Sequence, residues 1–366
     1  MSQEAVCPTA IRITELDRLI HRALLIGPPG VGKTERVREL AVKEAESLGL
    51  KFIDVREALE RDPGIIDKIR RNPSKYFIYL RVIGPHVYPE DLGIPRIQRR
   101  GNYVLFLPPK ALYPFTISGI HGLLFIDELG NVVRRDQQSM YFSLVLEGEF
   151  SWMHKLSSNV VIMAATNPPA YSSVANLLPA PLVSRMFPIC VTAPTVEEWI
   201  DYMYAHYGED WDKRTAEYLL AYKTDMLIPP PEPETLVGFP NPRSWTQLAV
   251  EMVKVKSKPL LEQLVLGKLG HNVGEKFLAY LDLKINADSI IKEALSDPSR
   301  LDILNADART LVLKAIANKI LEEGTEGLKP ILDYMKERRH EYLQLMFWLI
   351  PRQYKQALLE KLKEYL

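Results

Sequence analysis

The stretch Gly27-Pro28-Pro29-Gly30-Val31-Gly32-Lys33-Thr34 has the spacing glycine, four residues, glycine, lysine, threonine. Glycines let a backbone curl until several N–H groups point inward at one anion. A helix starting at the end of such a loop adds partial positive charge. Lys33 is then placed to reach the β- and γ-phosphates, and the Thr34 hydroxyl to ligate Mg²⁺. The expected chemistry is binding of a nucleoside triphosphate with its cation.

A second candidate group lies downstream. Leu123-Leu124-Phe125-Ile126 is a continuous apolar run, and it ends in Asp127-Glu128. Such a run reads as a parallel strand buried on both faces. A carboxylate closing that strand, Asp127, can hold the Mg²⁺ shell. Glu128 points another way and can orient the attacking water or take its proton.

The elements that must position these groups follow from patterning. Leu24-Leu25-Ile26 reads as a strand, and Thr34 to Leu48 as a helix with Val37, Leu40, Ala41 and Leu48 on one face. Residues 10–22 read as a short helix, and Lys51 to Asn72 as a helical excursion broken at Pro63-Gly64. Strands are expected at Tyr76 to Val82, Leu123 to Ile126, Val160 to Ala165 and Pro188 to Val191, with a helix over Asp136 to Glu147. Alternating strands and helices predict an α/β parallel sheet. Two hairpins are expected to project from it. One runs from Tyr103-Leu107 around Pro108-Pro109 to Tyr113-Phe115, and the other from Phe150 to Lys155. After Val191 the pattern is helical throughout, with Thr195 and Glu198 at capping-box spacing. Leu260, Leu261, Leu264 and Leu266, then Leu343, Met346, Phe347 and Ile350, read as bundle core.

Composition bounds the function class. Lys+Arg and Asp+Glu both total 46, so a zero net charge gives no global pull toward nucleic acid or anionic lipid. Hydrophobic residues at 47% and charged residues at 25% suit a globular chain. No secretory signal reads from the first residues, and no apolar run is long enough to span a bilayer. The two cysteines, Cys7 and Cys190, are far apart, so neither a disulfide framework nor a thiolate metal site is expected. That suits a reducing compartment, and a cytoplasmic location is expected. The seven histidines show no metal-ligand spacing.

The phosphate loop, the Leu123-Glu128 run and Ala165-Thr166-Asn167-Pro168 together resemble the AAA+ ATPases. The resemblance implies a P-loop parallel sheet with helices on both faces, then an all-α lid and a helical C-terminal extension. The expected boundaries are 1–193 for the core with its two hairpins, 194–284 for the lid and 285–366 for the extension. It implies that Asn167 is the sensor 1 residue. Pro181 to Phe187 resembles the arginine-finger segment of MoxR-like and MCM-like members, which makes Arg185 the finger, although Met186 interrupts the usual Arg-Phe pair. Asn241-Pro242-Arg243 resembles the sensor 2 motif, with Arg243 on the γ-phosphate. Arg81 with Pro89 to Pro95, and Gly270 to Phe277, resemble the MoxR-like branch.

What the resemblance implies is an Mg²⁺-dependent ATPase, with ATP as cofactor, acting as a homo-oligomeric ring of six subunits. The favoured role is remodelling or assembly of a protein partner, often one bearing a von Willebrand factor A domain. Tyr103, Phe106, Phe150 and Trp152 on the hairpins suit a protein client. A DNA-translocating ATPase, with Arg99, Arg100 and Lys155 lining a channel, is the less favoured reading. A slow nucleotide-gated scaffold is the third. No adenine pocket can be read from the sequence.

Overall fold

The computed structural model describes residues 9–98, 103–151, 154–168, 171, 178–230, 238–304, 306–350 and 354–366, with backbone alone at 151, 283–288 and 306–307. The chain divides into two units, residues 1–256 and 257–366.

In chain order the first unit contains β1 (Ile11–Arg12), β2 (Ala23–Ile26), α1 (Lys33–Ser47), β3 (Lys51–Asp54), α2 (Val55–Arg61), α3 (Ile65–Arg71), β4 (Tyr76–Ile83), β5 (Ile94–Gln98) and β6 (Tyr103–Leu107). It continues with β7 (His121–Asp127), α4 (Arg135–Glu147), β8 (Glu149–Ser151), β9 (His154–Lys155), β10 (Val160–Thr166), α5 (Ala180–Val183), β11 (Phe187–Thr192), α6 (Val196–Tyr207), α7 (Arg214–Ala221) and α8 (Pro242–Met252). Seven strands form one sheet in the order β1-β11-β2-β10-β7-β4-β3, and the pairs are parallel. The parallel sheet with flanking helices expected from the sequence is the one the chain adopts.

Both faces of the sheet are covered, which explains the continuous apolar runs. Leu25, Leu123, Phe125 and Met163 pack on one side with Val37, Leu40 and Ala41 of α1. Their strand neighbours Leu24, Leu124, Ile126 and Ile162 pack on the other with Ile65 and Ile69 of α3 and Tyr141 and Val145 of α4. Burying each such side chain contributes about 1.5–3 kcal/mol, so the sheet centre is the stable platform for whatever sits at its edge. Four strand ends converge there: β2 and β10 pair through Ile26 and Thr166, and β4 and β7 through Ile83 and Asp127.

Several local expectations change. The segment read as a helix over 10–22 holds strand β1 and a short 3₁₀ turn at Ile13–Glu15. The excursion after α1 begins with strand β3, whose four residues carry a charge at each end and so lack an apolar run. The first hairpin pairs β6 with β5 before it, Ile94 opposite Leu107 and Ile97 opposite Val104, because Pro114 and its neighbours form a 3₁₀ turn instead of a return strand. Its tip, with Arg99 and Arg100, lies outside the described residues. The second hairpin pairs β8 with β9, but Phe150 is buried in the core and offers no contact surface. Trp152 lies outside the described residues.

Cys190 on β11 is disulfide-bonded, which the distance between the cysteines in the sequence had argued against. Cys7, the other cysteine of the chain, lies outside the described residues. The bond removes the cysteine-based ground for expecting a reducing compartment. Among the described residues, no helix is long and apolar enough to cross a membrane.

The second unit consists of α9 (Lys258–Ser296), α10 (Arg300–Ile303), α11 (Ala306–Glu323), α12 (Lys329–Arg338), α13 (His340–Leu349) and α14 (Lys355–Lys361). Helix α9 changes direction at Gly270, the residue with non-helical backbone angles inside it. Ile316, Ile320, Ile331, Leu332, Leu343, Met346 and Ile350 form the core, as the spacing of the last three implies, whereas Leu260 is exposed. Asp302 accepts bonds from Tyr334, Arg339 and Tyr342, chiefly through Arg339, and these hold its carboxyl below the usual range.

Candidate active site

The loop between β2 and α1 sits where those strand ends converge. Gly32 takes the left-handed backbone, φ 98°, just before α1 begins at Lys33. Gly30 also has a positive φ, and a Cβ there would lie 2.1 Å from Asn241 Oδ1. The loop can therefore lie against the start of α8 only because residue 30 has no side chain. Asn241 caps α8 by accepting from the Ser244 N–H at 3.1 Å, and the Arg243 N–H donates to the Gly30 carbonyl at 3.1 Å. These bonds fix where the Arg243 side chain starts.

Lys33 turns back into the loop. Its Nζ donates to the Gly27 carbonyl at 2.6 Å, the Pro28 carbonyl at 2.9 Å and Asn167 Oδ1 at 2.9 Å. The Asn167 bond ties the lysine to the end of β10. Lys33 is 8% exposed, and that burial pushes its ammonium down to about 8.

Thr34 and Asp127 meet across the two strand ends. The hydroxyl donates to Asp127 Oδ2 at 2.7 Å. Asp127 is buried, and its other oxygen accepts the Glu128 N–H at 3.0 Å. Glu128 has a left-handed backbone, φ 57°, which costs a non-glycine residue free energy and is characteristic of functional turns. That turn lifts its carboxylate out of the strand direction, and the side chain is exposed at the cavity wall.

Lys33, Thr34, Asp127, Glu128, Asn167 and Arg243 all line one cavity of about 100 Å³. Arg81, from β4, also reaches it and binds Asp127. Three cations face two carboxylates there, so the cavity favours an anion. Hydroxyl and carboxylate oxygens at Thr34 and Asp127 are the hard donors that Mg²⁺ takes. The sequence placed Arg81 only within a resembling segment. Its role needed the register that sets β4 beside β7.

Arg185 is not part of this cavity. It follows α5, is exposed, and donates to the Pro181 carbonyl at 3.0 Å. Phe187, two residues on, is also exposed.

A larger cavity of about 410 Å³ opens beside the loop, lined by Ile13, Thr14, Pro194, Trp199, Tyr202 and Tyr207 among others, and shares Gly30, Thr34 and Arg243 with the first. Its wall is braced by Thr14 Oγ1 donating to Glu198 Oε1 at 2.9 Å and by Trp199 Nε1 donating to Thr246 Oγ1 at 2.9 Å. Its size and aromatic lining suit a nucleoside. The lining comes from five separate segments of the chain, so no linear motif could mark it. Nearby, Glu35, Glu39 and His206 bring ligand-capable atoms within 4.8 Å of one another, a grouping that sequence spacing could not reveal.

The chain has a parallel sheet with a glycine-rich loop between β2 and α1. Among solved structures it is similar to a candidate ATPase from Cytophaga hutchinsonii, at 15% identity and TM-score 0.31, covering 93% of this chain and 84% of that one. It is similar to a mutant RuvB from Thermotoga maritima, at 16% identity and TM-score 0.28, covering 93% and 88%. It is also similar to AMPPCP-bound DnaA from Aquifex aeolicus, at 12% identity and TM-score 0.32, covering 98% and 92%. No protein-family model and no curated protein matches the sequence.

Proposed function

We propose that this chain is a MoxR-like AAA+ ATPase that hydrolyses ATP in a ring and uses the energy to remodel or assemble a protein partner. The observation that carries the reading is the arrival of six sequence-selected residues at one small cavity, while Arg185 stays outside it on an exposed surface. Lys33 and Arg243 hold the phosphates. Thr34 and Asp127 would hold Mg²⁺, which would supply positive charge to polarise the phosphoryl group. Glu128 orients the water and takes its proton, with Asn167 beside Lys33 fixing the geometry. The cavity with Trp199 and Tyr202 takes the adenosine. Arg185 completes the site of a neighbouring subunit.

A protein client is favoured over DNA by the first hairpin. Ile94, Ile97, Val104 and Leu107 there are exposed, whereas Lys155 on the second hairpin is paired with Glu149 at 3.7 Å. The test is phosphate release by the full chain with Mg²⁺ and ATP, followed by capture of partners on the Glu128→Gln variant. An absence of turnover at any chain concentration contradicts the ATPase reading. DNA-stimulated, salt-sensitive turnover contradicts the protein-client reading.

A further inference from the structure

Asp127 Oδ2 is claimed twice. Besides the Thr34 hydroxyl, it accepts Arg81 Nε at 2.9 Å and Arg81 Nη2 at 2.7 Å. Arg81 stands on β4 opposite Phe125 of β7, so its side chain leaves the sheet on the same face as Asp127, two residues further along β7. A buried carboxylate needs a partner, and with Oδ1 taken by the Glu128 N–H the guanidinium completes its set. That guanidinium is also a cation on the same oxygen that faces Thr34, where the pair would hold Mg²⁺.

We propose that Arg81 is a built-in counter-ion for Asp127, which it holds while the site is empty and yields to the divalent cation when nucleotide arrives. This rests on the nucleotide reading above. Two features support an exchange over a permanent structural pair. The Arg81 side chain is 41% exposed whereas that of Asp127 is 8% exposed, so the arginine can leave without passing through packed core. It also borders both the 100 Å³ cavity and the 410 Å³ cavity, so the guanidinium already stands on the open side of the site. On release Asp127 passes from one cation to another without ever being left unpaired. Arg81 is thus a positioning residue. It keeps Thr34 and Asp127 aligned before the cation binds, and it makes cation binding compete with an internal charge.

Calorimetric titration of the full chain with ADP, in EDTA and again in excess Mg²⁺, tests this on wild type, Arg81→Gln and Arg81→Lys. With no guanidinium to displace, the gain in ADP affinity that Mg²⁺ supplies should be larger in Arg81→Gln by about fivefold, the scale of a part-exposed ion pair. Arg81→Lys should lie between, because an ammonium keeps the charge but loses the fork. An equal Mg²⁺ gain in all three overturns the proposal. A wild type that binds no ADP overturns the nucleotide reading instead. Arg81 is then tested by Mn²⁺ titration of the nucleotide-free chain followed by electron paramagnetic resonance. Tighter Mn²⁺ binding in Arg81→Gln supports the exchange, and identical binding overturns it. A mere loss of packing would not raise metal affinity.

Discussion

The Thr34 hydroxyl donates to Asp127 Oδ2 across 2.7 Å, joining the first turn of α1 to the end of β7, 93 positions away in the sequence. The two residues proposed to hold the cation are therefore brought together in advance by the sheet. Asp127→Asn keeps the shape but removes the charge. It should abolish the Mg²⁺ dependence of ADP binding while leaving metal-free binding within about threefold, as calorimetry in EDTA will read. Asp127→Ala also strands its donors, and should lower stability by about 1–3 kcal/mol in urea unfolding.

Glu128 stands at a strained turn with its carboxylate on the cavity wall. Glu128→Gln should lower phosphate release by about 100-fold or more, the usual worth of a positioned base. ADP affinity should stay nearly constant, because the phosphates are held elsewhere. Full turnover in this variant assigns the base to another residue.

Lys33 gives the site a pH dependence. Burial holds its ammonium at about 8 in the folded chain, against about 10.4 for a free lysine. Between those values the unfolded chain keeps the proton that the folded chain has lost. Below pH 8 the charged, buried lysine weighs against folding in full. That cost is relieved as pH rises from about 8 to about 10, so this residue's contribution to stability increases there. Nucleotide affinity should move the opposite way and weaken through pH 8, since a neutral amine attracts phosphate poorly. Titrations in two buffers of different ionisation enthalpy should show proton uptake on binding at pH 8.5. No uptake means that binding does not change the protonation of the lysine.

Arg185 lies outside the cavity of its own chain, so its role must be tested between chains. Arg185→Ala should lose turnover by about 10³-fold and keep ADP binding. Glu128→Gln fails for a different reason. Mixing the two inactive variants should restore part of the activity, because some shared sites then hold both an intact Glu128 and an intact Arg185. A mixture as inactive as its parts places Arg185 outside the hydrolytic site.

Cys190 is disulfide-bonded on β11, the strand beside β2, where it pairs with Ile26 just before the phosphate loop. Thiol titration of the unfolded, unreduced chain should find no free cysteine. Cys190→Ser should lower stability by about 2–4 kcal/mol. Two free thiols in the untreated chain contradict the bond.

Much of the fold was legible because its cause is local. Leu24 to Ile26, Leu123 to Ile126 and Val160 to Ala165 are apolar without interruption, and strands covered on both faces require that. The Thr195–Glu198 capping box forms as spacing alone predicts, since it closes within one helical turn. Strand β3 was missed because four residues with charged ends carry no period. The partner of β6 was missed because Pro114 and its neighbours resemble a strand in composition and turn in space. Phe150 shows the converse, an aromatic at a hairpin that looks exposed in sequence and is drawn into the core by the sheet beneath it.

The sequence by itself determined the phosphate loop and the residue types that could serve it, because backbone curl, helix start and lysine reach are set within eight consecutive residues. The tertiary structure decided which distant side chains share that loop. Strand order sets Asp127 against Thr34 and Arg81. The close approach of Asn241 to Gly30 sets Arg243 over the cavity, and the packing of Trp199 shapes the cavity beside it. Those relations depend on long-range register and burial, which no local pattern encodes, and they gather side chains from distant segments around one glycine-rich loop.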